Sequence, residues 1–294
     1  MRPTSSRSTK PPSAWFELRS RSIVYARALT WWTVLRICLE ERLVYRGDFA
    51  LGTLMRFLPF VTQVFLWSAV YSARGNKPLA GYTYNEMVAY LLLTNVSRAF
   101  SSMPGLASSI ALQIRNGEIK KFLIQPIDMI GFMFLARIAH KLVYYLIAIA
   151  PYALVFYLCR QFFSGWPDFT TLAAFAVSLI LSFLLGFFLE ATLGMVGFWI
   201  LEVSSLLFVY QLFSFFFSGQ MFPIDILPDT ARHLVNLLPI PYMAYFPVAV
   251  FLGKYTGREL LVGLAVQAAW VVVFMIASRV ILRLGLKRYS GFGG

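Results

Sequence analysis

The sequence has little charge. Only 13% of its 294 residues are Asp, Glu, Lys or Arg, against roughly 25% in a soluble domain, whereas 59% are hydrophobic and the mean hydropathy is +0.69. This composition excludes an ordinary soluble globular protein. Several apolar stretches approach or exceed the roughly 20 residues that a helix needs to cross a bilayer. Because the alternating segments of about ten residues that build a closed β-barrel are absent, the sequence predicts an all-α polytopic membrane protein.

Residues that bind metals or perform redox chemistry are also scarce. The cysteines, Cys38 and Cys159, and the histidines, His140 and His233, are scattered and show no metal-ligand spacing. We therefore expect no metal site and no cofactor in this chain.

Enzyme motifs are missing as well. The stretch LGKY at 252–255 lacks the upstream glycine and the Ser or Thr of a Walker A loop. No GxSxG, HExxH or dinucleotide-binding fingerprint occurs, and the 13 acidic residues are dispersed. The sequence favours a protein that is not an enzyme and that binds no ATP or magnesium itself.

Positive charge is plentiful, with a formal net charge of +13. In a soluble protein this excess would suggest nucleic-acid binding. In a polytopic membrane protein, basic residues instead mark the cytoplasmic side. We therefore expect the lipid bilayer, and no nucleic acid, as the partner of this charge.

Hydropathy and helical periodicity divide the chain into four parts. We predict a disordered cytoplasmic tail (1–26), an amphipathic interfacial helix (27–47), a transmembrane domain of six spans (48–285) and a cytoplasmic tail (286–294). An amphipathic helix packed on another domain is the alternative for 27–47. The spans are expected at about 49–71, 86–112, 142–159, 169–195, 200–219 and 260–282, with an interfacial, partly helical stretch at 127–141.

One segment before the last span is not expected to form a continuous helix. Residues 220–258 contain five prolines, and proline interrupts helices. Short re-entrant helices joined by proline turns are therefore expected, and irregular backbone at this depth must be shielded by protein.

The distribution of basic residues gives an orientation. The first 48 residues, the stretch 113–141 and the stretch 279–294 hold nine, five and four Lys or Arg, against six in the opposite loops. This asymmetry places both termini in the cytoplasm, and the segment 220–258 outside.

A compact charged segment separates the second and third spans. Residues 113–128 read QIRNGEIKKFLIQPID and hold five charged residues between apolar stretches. Gly117 and Pro126 are expected to bracket a short basic helix. This segment has the character of a docking surface rather than of a plain connector.

Ionisable residues inside spans are costly and mark cavities or partners. We expect three here: Arg98, Glu190 and Glu202. Arg98, with Asn95 and Ser102, is predicted to line a solute path or gate. An equally weighted alternative is that Arg98 pairs with a carboxylate, such as that of Glu190, to hold helices together.

The aromatic run FVYQLFSFFFSG at 208–219 has two interpretations. Phe213, Phe216 and Phe217 could form a wall of a path for an apolar substrate. Such runs are more often lipid-facing or helix-packing surfaces.

Six local sequences in order resemble one family across nearly the whole chain from residue 27. They are YRGDF (45–49), IRNGEIKKFLIQPID (114–128), FWILEVSSL (198–206), FFSGQMFPIDILP (216–228), LLPIPYMAYFPVAVFLG (237–253) and LKRYSGFGG (286–294). The chain resembles the permease subunit of bacterial ABC exporters of the type-2 class, whose fold is shared with G-type ABC transporters. The one departure is LLPIPY, where a phenylalanine would be expected near Ile240.

The resemblance implies a bacterial plasma-membrane location and partners for this chain. These are two copies of an ATP-binding subunit, which carry the ATP and magnesium, and a second permease subunit, identical or paralogous. It also implies that the interfacial helix and the charged segment contact the ATP-binding subunit. The expected contact residues are Glu41, Arg42, Tyr45, Arg46, Arg115, Asn116, Gly117, Glu118, Lys120, Lys121, Gln125 and Pro126.

Two other functions stay open from the residues alone. An ion-coupled secondary transporter would normally show inverted repeats or several ionisable residues at mid-membrane. The two halves of this chain do not resemble each other, and only Arg98 is central. A membrane enzyme acting on lipids would need the cluster of reactive residues that the sequence lacks.

Overall fold

A computed structural model describes residues 29–41, 46–125, 127–163, 165–200 and 202–289. Within these ranges the chain forms eleven α-helices and no β-strand, which confirms the all-α class. The helices are α1 (29–41), α2 (Arg46–Ala73), α3 (Tyr84–Ser101), α4 (Leu106–Arg115), α5 (Lys120–Ile124), α6 (Met129–Leu158), α7 (Phe169–Met195), α8 (Ser204–Phe217), α9 (Asp229–Asn236), α10 (Tyr245–Phe251) and α11 (Gly257–Arg288). The predicted tail at 1–26 lies outside the described residues.

Three helical stretches are long and apolar enough to cross a membrane: Met129–Leu158, Phe169–Phe198 and Gly257–Arg288. The apolar part of α2, Phe57–Ala73, and α8, Ser204–Phe217, are shorter. The chain is therefore a multi-pass membrane protein, and the count of six spans stays a prediction.

The span expected at 86–112 is wrong as a single helix. Helix α3 ends at Ser101 and α4 begins at Leu106. Pro104 has no N–H and restricts the residue before it, and Gly105 has φ +72°, a left-handed conformation that favours glycine. We call residues 102–105 the helix break.

The interfacial position expected for 127–141 stays a prediction, but the boundary expected at 142 is wrong, because residues 129–158 form one helix. The Asp128 carboxylate accepts a hydrogen bond from the Gly131 N–H at 2.7 Å and so caps its first turn. Pro151 lies inside this helix.

Helix α7 is the centre of the bundle, and small residues let other helices approach it closely. A Cβ atom added to Gly186 would collide with the carbonyl oxygen of Ser101, and one added to Gly194 would lie 2.6 Å from that of Ala107. These glycines lie on either side of the helix break, so α7 supports both α3 and α4.

A buried amide joins α7, α11 and the residues before α10. The Gln267 Nε2 donates to the carbonyl oxygens of Ser178 and Tyr242 at 3.0 and 2.9 Å and to the Ser182 hydroxyl at 3.0 Å. Its Oε1 accepts from the Ser178 hydroxyl at 2.9 Å. Every polar atom of this fully buried side chain is therefore paired.

The proline-rich segment (220–258) contains the expected short helices, α9 and α10. One carboxylate ties it to the loop before α3. Asp225 accepts hydrogen bonds from the hydroxyls of Tyr82 and Tyr245 at 2.8 and 2.7 Å. Lys254 donates to the Gly81 carbonyl at 3.0 Å, so this segment is closely packed on the bundle.

The close approach at Gly186 generates a prediction. We expect Gly186→Ala to destabilise the purified protein by about 1–3 kcal/mol, the usual cost of overpacking a close contact, and so to lower its melting temperature by several degrees. Gly52→Ala is the matched control, because a Cβ there has no neighbour within 4 Å. Equal melting temperatures for the two variants would contradict the central role of α7.

Candidate functional site

The charged segment (113–128) extends the end of α4 into a short helix. Arg115 is the last residue of α4, and Gly117 turns the chain with φ +74°. Lys120–Ile124 then form α5, which confirms the short basic helix. Pro126, its expected second boundary, lies outside the described residues.

Buried residues anchor the charged segment, among them Gly117, which was expected to contact a partner, while most of its charged residues are available for contact. Ile119 is fully buried and packs in a cluster with Ile114, Met129 and Leu282. Exposed residues surround it: Arg115, Asn116, Glu118, Lys120, Lys121 and Gln125. Leu123 and Ile124 are exposed as well, the latter 83%. The segment thus offers a mixed basic and apolar surface on a fixed base.

Two ion pairs attach this segment to other helices. Arg115 lies 3.6 Å from Glu202, in the connection between α7 and α8, and Asp128 pairs with Arg279 of α11. Although partial burial opposes it, the hydrogen bonds from Arg279 and the Gly131 N–H hold the pKa of Asp128 below its ordinary value. The segment is therefore linked to α11 and to the α7–α8 connection.

Glu202 corrects an expectation. It does not lie inside an apolar helix but before the first residue of α8, with its side chain 63% exposed. Hydrogen bonds from the Ser204 hydroxyl and N–H, together with Arg115, lower the pKa of this carboxyl. It lies beside Arg115 of the charged segment.

Helix α1 lies close to the other end of the charged segment. The Trp31 ring occupies the space beside Gly131, 3.0 Å from where a Cβ would be. Glu41 is exposed at the last described residue of this stretch. Arg42 and Tyr45 lie outside the described residues, and Arg46 begins α2. The two regions expected to contact a partner are thus neighbours at the start of α6.

The helix break frees backbone groups, because a helix end leaves its last carbonyls and first N–H groups without intrahelical partners. Charged side chains bind them. Lys141, only 6% exposed, donates to the carbonyl oxygens of Ala99 and of Ser102, the latter at 2.7 Å. The Arg137 Nη1 donates to the Pro104 carbonyl at 2.9 Å.

Glu190 of α7 completes these contacts. Its Oε1 accepts a hydrogen bond from the Met103 N–H at 3.3 Å. Two cations thus hold carbonyls and one carboxylate holds an N–H, so each charge matches the backbone group it meets. Sequence reasoning missed the roles of Arg137 and Lys141, although Pro104 and Gly105 signalled a break and Lys141 stood out in an apolar stretch.

Arg98 lies in the last turn of α3 and lines a cavity of about 280 Å³ beside the break, together with Ser102 and Glu190. Within the described ranges, no ion pair within 4 Å joins Arg98 to Glu190, and the Arg98 Nη1 is buried without a hydrogen-bond partner. Arg98 therefore lies at a cavity and not in a direct ion pair with Glu190, and its role in a path or gate stays a prediction.

The remaining expected path residues lie elsewhere. The Asn95 side chain donates to the Leu91 carbonyl of its own helix at 3.2 Å. Phe213 and Phe216 are exposed on α8, and Phe217 packs against a core cluster. The cavity is lined from α8 by Tyr210, Ser214 and Phe215 instead. In the described residues no group of three or more His, Cys, Asp or Glu could hold a metal.

The lysine at the break generates a prediction. We expect Lys141→Met to destabilise the protein by at least about 1–3 kcal/mol, because two carbonyls lose their donor in a buried place. Thermal unfolding of the purified chain measures this. Lys287→Met is the control, since Lys287 is exposed near the end of α11. An unchanged melting temperature for Lys141→Met would show that the break needs no charged partner.

Comparison with known proteins gives one match. A family model described as "ABC-2 family transporter protein" matches residues 57–293, which include the helix break, the charged segment and the proline-rich segment. No curated protein matches the chain.

Proposed function

This chain belongs to the ABC-2 transporter family, and we propose that it is the permease subunit of an ATP-driven exporter that works with a separate ATP-binding subunit. The family makes it a membrane component of an ABC transporter rather than an enzyme. The observation that carries the finer proposal is the charged segment: an exposed basic and apolar surface, fixed to the bundle by Ile119 and by ion pairs.

ATP hydrolysis belongs to the other subunit in this proposal. The sequence has no Walker A loop, whose glycine-rich backbone and lysine hold the phosphates. ATP and magnesium would therefore bind to the ATP-binding subunit, of which two copies serve two permeases.

The contacts between the charged segment and the helices define the route along which force would be transmitted. An ATP-binding subunit that moves against α5 pushes on Gly117 and Ile119, and through them on α4. Helix α4 is joined to α3 through the helix break, where Lys141 and Arg137 donate hydrogen bonds to backbone carbonyls and Glu190 accepts one from the Met103 N–H. A tilt of α4 is thereby passed to α3 and α6, while Arg115 and Glu202 pass it towards α8.

A second permease subunit fits the exposed side of α8. This helix has only 14 residues, and large apolar side chains are exposed around most of it. They include Leu206, Phe208, Val209, Leu212, Phe213 and Phe216. An identical or paralogous permease placed here would cover these side chains and enclose a path between the two subunits. We infer that this path leads out of the cytoplasm of a bacterial cell, with both termini inside.

Charge reversal of the segment tests this function. We expect Lys120→Glu with Lys121→Glu to abolish co-purification with the ATP-binding subunit, or to reduce permease-dependent ATPase activity at least tenfold, because like charges would then face each other across the contact. Pull-down and phosphate release measure the two effects.

The matched control reverses two exposed cations at the other end of the bundle, Arg74→Glu with Lys77→Glu. This control should retain both the complex and its activity. A Lys120→Glu and Lys121→Glu protein that binds and stimulates the ATPase as the wild type does would contradict the proposed coupling role.

A further inference from the structure

The cavity beside the helix break has the chemistry of a binding site. It lies between the end of α3, the start of α4, α7 and α8, and its volume is about 280 Å³. Its walls mix charged, hydroxyl and amide side chains with apolar ones, among them Arg98, Glu190, Gln211 and Phe215. The cavity at the other end of the bundle, of about 580 Å³, is lined mainly by Phe, Trp and Leu and differs in kind.

The first turn of α4 faces this cavity. Gly105, Ala107 and Ser108 line it, and among the described residues no side chain caps the helix at Gly105. The first N–H groups of a helix lack intrahelical acceptors and carry the positive end of its dipole. The Leu106 N–H already donates to the Met103 carbonyl at 3.0 Å, so an anion in this cavity would meet the next N–H groups, those of Ala107 and Ser108.

Buried side chains give a second, independent sign of a ligand. Ser214 is only 2% exposed and lines the cavity, yet its hydroxyl has no hydrogen-bond partner in the described part of the chain. The same is true of the hydroxyl of Tyr210 and of the Nη1 of Arg98. Buried polar atoms are normally paired. The hydroxyls of Tyr210 and Ser214 lie close enough to act on each other, so at least one of their protons, together with the Arg98 Nη1, is left for an acceptor, and a group with several acceptor oxygens supplies it.

The charged side chains around the cavity favour an anionic ligand. Glu190 is the carboxylate at the cavity, and its Oε1 is bound to the Met103 N–H. Arg98 lines the cavity beside it, and Arg137 and Lys141 hold carbonyl oxygens at the break. Three basic side chains therefore lie at the break with one acidic side chain, and a negative group beside Arg98 would be attracted by them.

The size and the neighbours of the cavity define the class of ligand. A volume of about 280 Å³ is below the usual range of about 300–1,000 Å³ for a whole small-molecule pocket, and it suits a polar headgroup. Leu207 and Phe215 continue the wall into the apolar surface of α8, where a hydrocarbon part would lie.

We propose that this cavity binds the phosphate or carboxylate group of an amphiphilic anion, and that this group is the polar end of the transported substrate. The assignment to a substrate depends on the exporter function proposed above, whereas binding of the anion does not. Arg98, N–H groups in the first turn of α4, Tyr210 and Ser214 hold the anionic oxygens, and α8 contacts the apolar chain.

Binding to the full-length permease in neutral-lipid nanodiscs is the first test. The probe is dodecyl phosphate, and dodecyl maltoside is the neutral compound of equal chain length. We expect dodecyl phosphate to bind at least tenfold more tightly than dodecyl maltoside. Arg98→Gln should weaken dodecyl phosphate binding at least tenfold and Ser214→Ala about threefold or more, with dodecyl maltoside binding unchanged.

Matched controls keep the result interpretable. Arg160→Gln removes an arginine that lies outside this cavity, and Ser278→Ala removes a buried hydroxyl that bonds within α11. Both should bind dodecyl phosphate as the wild type does. Should Arg98→Gln fail to fold, Ser214→Ala and Ser214→Val carry the test, since Val also fills space in the cavity. Equal binding of the two probes, or wild-type affinity in the Ser214 variants, would overturn the site.

A second arm identifies the source of the anion. Dodecyl phosphate binding to the permease is compared in nanodiscs of phosphatidylglycerol and of phosphatidylcholine. If phosphatidylglycerol displaces dodecyl phosphate and phosphatidylcholine does not, the anion is a lipid headgroup. If neither lipid displaces it, the anion is a free amphiphile. In the assembled transporter, dodecyl phosphate should raise ATPase activity at least twofold in the wild type and not in Ser214→Val. Binding of dodecyl phosphate without stimulation of ATPase activity would overturn the substrate assignment. Failure of the ATP-binding subunit to co-purify would instead contradict the proposed function and leave the binding result intact.

Discussion

The hydrogen bonds between charged side chains and the backbone at residues 102–105 are the constraint on which the other features of the bundle depend. Freed carbonyl and N–H groups among apolar helices have no water to pair with, and each unpaired group would cost several kcal/mol. Lys141, Arg137 and Glu190 provide the partners. Their positions fix how α6 and α7 approach the break, and Gly186 and Gly194 exist as gaps in α7 because the interrupted backbone lies directly against them.

A break held by side chains differs mechanically from a continuous helix. Successive backbone bonds make a helix stiff along its axis, whereas long lysine and arginine side chains can follow small displacements of the carbonyls they hold. The break would therefore let α4 move as a unit with the charged segment without unfolding α3. In the proposed coupling, the lever is α4 and α5 together, and its pivot is the stretch 102–105.

Much of this architecture could be predicted from the sequence, and the failures share a cause. Apolar runs predicted the helices, and Gly117 and the prolines of 220–258 predicted the short helix α5 and the irregular segment. Hydropathy is averaged over a window of residues, however, so the helix break at Pro104 and Gly105 was not detected within one apolar stretch. The roles of Arg137 and Lys141 were also missed, because their partners lie about 30 to 40 residues earlier and no local pattern connects them. Glu202 was misplaced for the same reason, since its partner Arg115 is distant in sequence.

Two regions of α7 differ in their polar contacts, and the difference has a physical consequence. In the middle of the helix, Ser178 and Ser182 meet Gln267, whose amide is completely paired. About 12 Å further along, at 1.5 Å per residue, Glu190 meets the break, where Arg98 and Ser214 keep unpaired donors. A fully satisfied network resists rearrangement, whereas donors without partners lose nothing when helices shift and gain when an acceptor arrives. Rearrangement of the helices is therefore expected to cost least at the break, beside the polar cavity and on the side of the bundle that carries the charged segment.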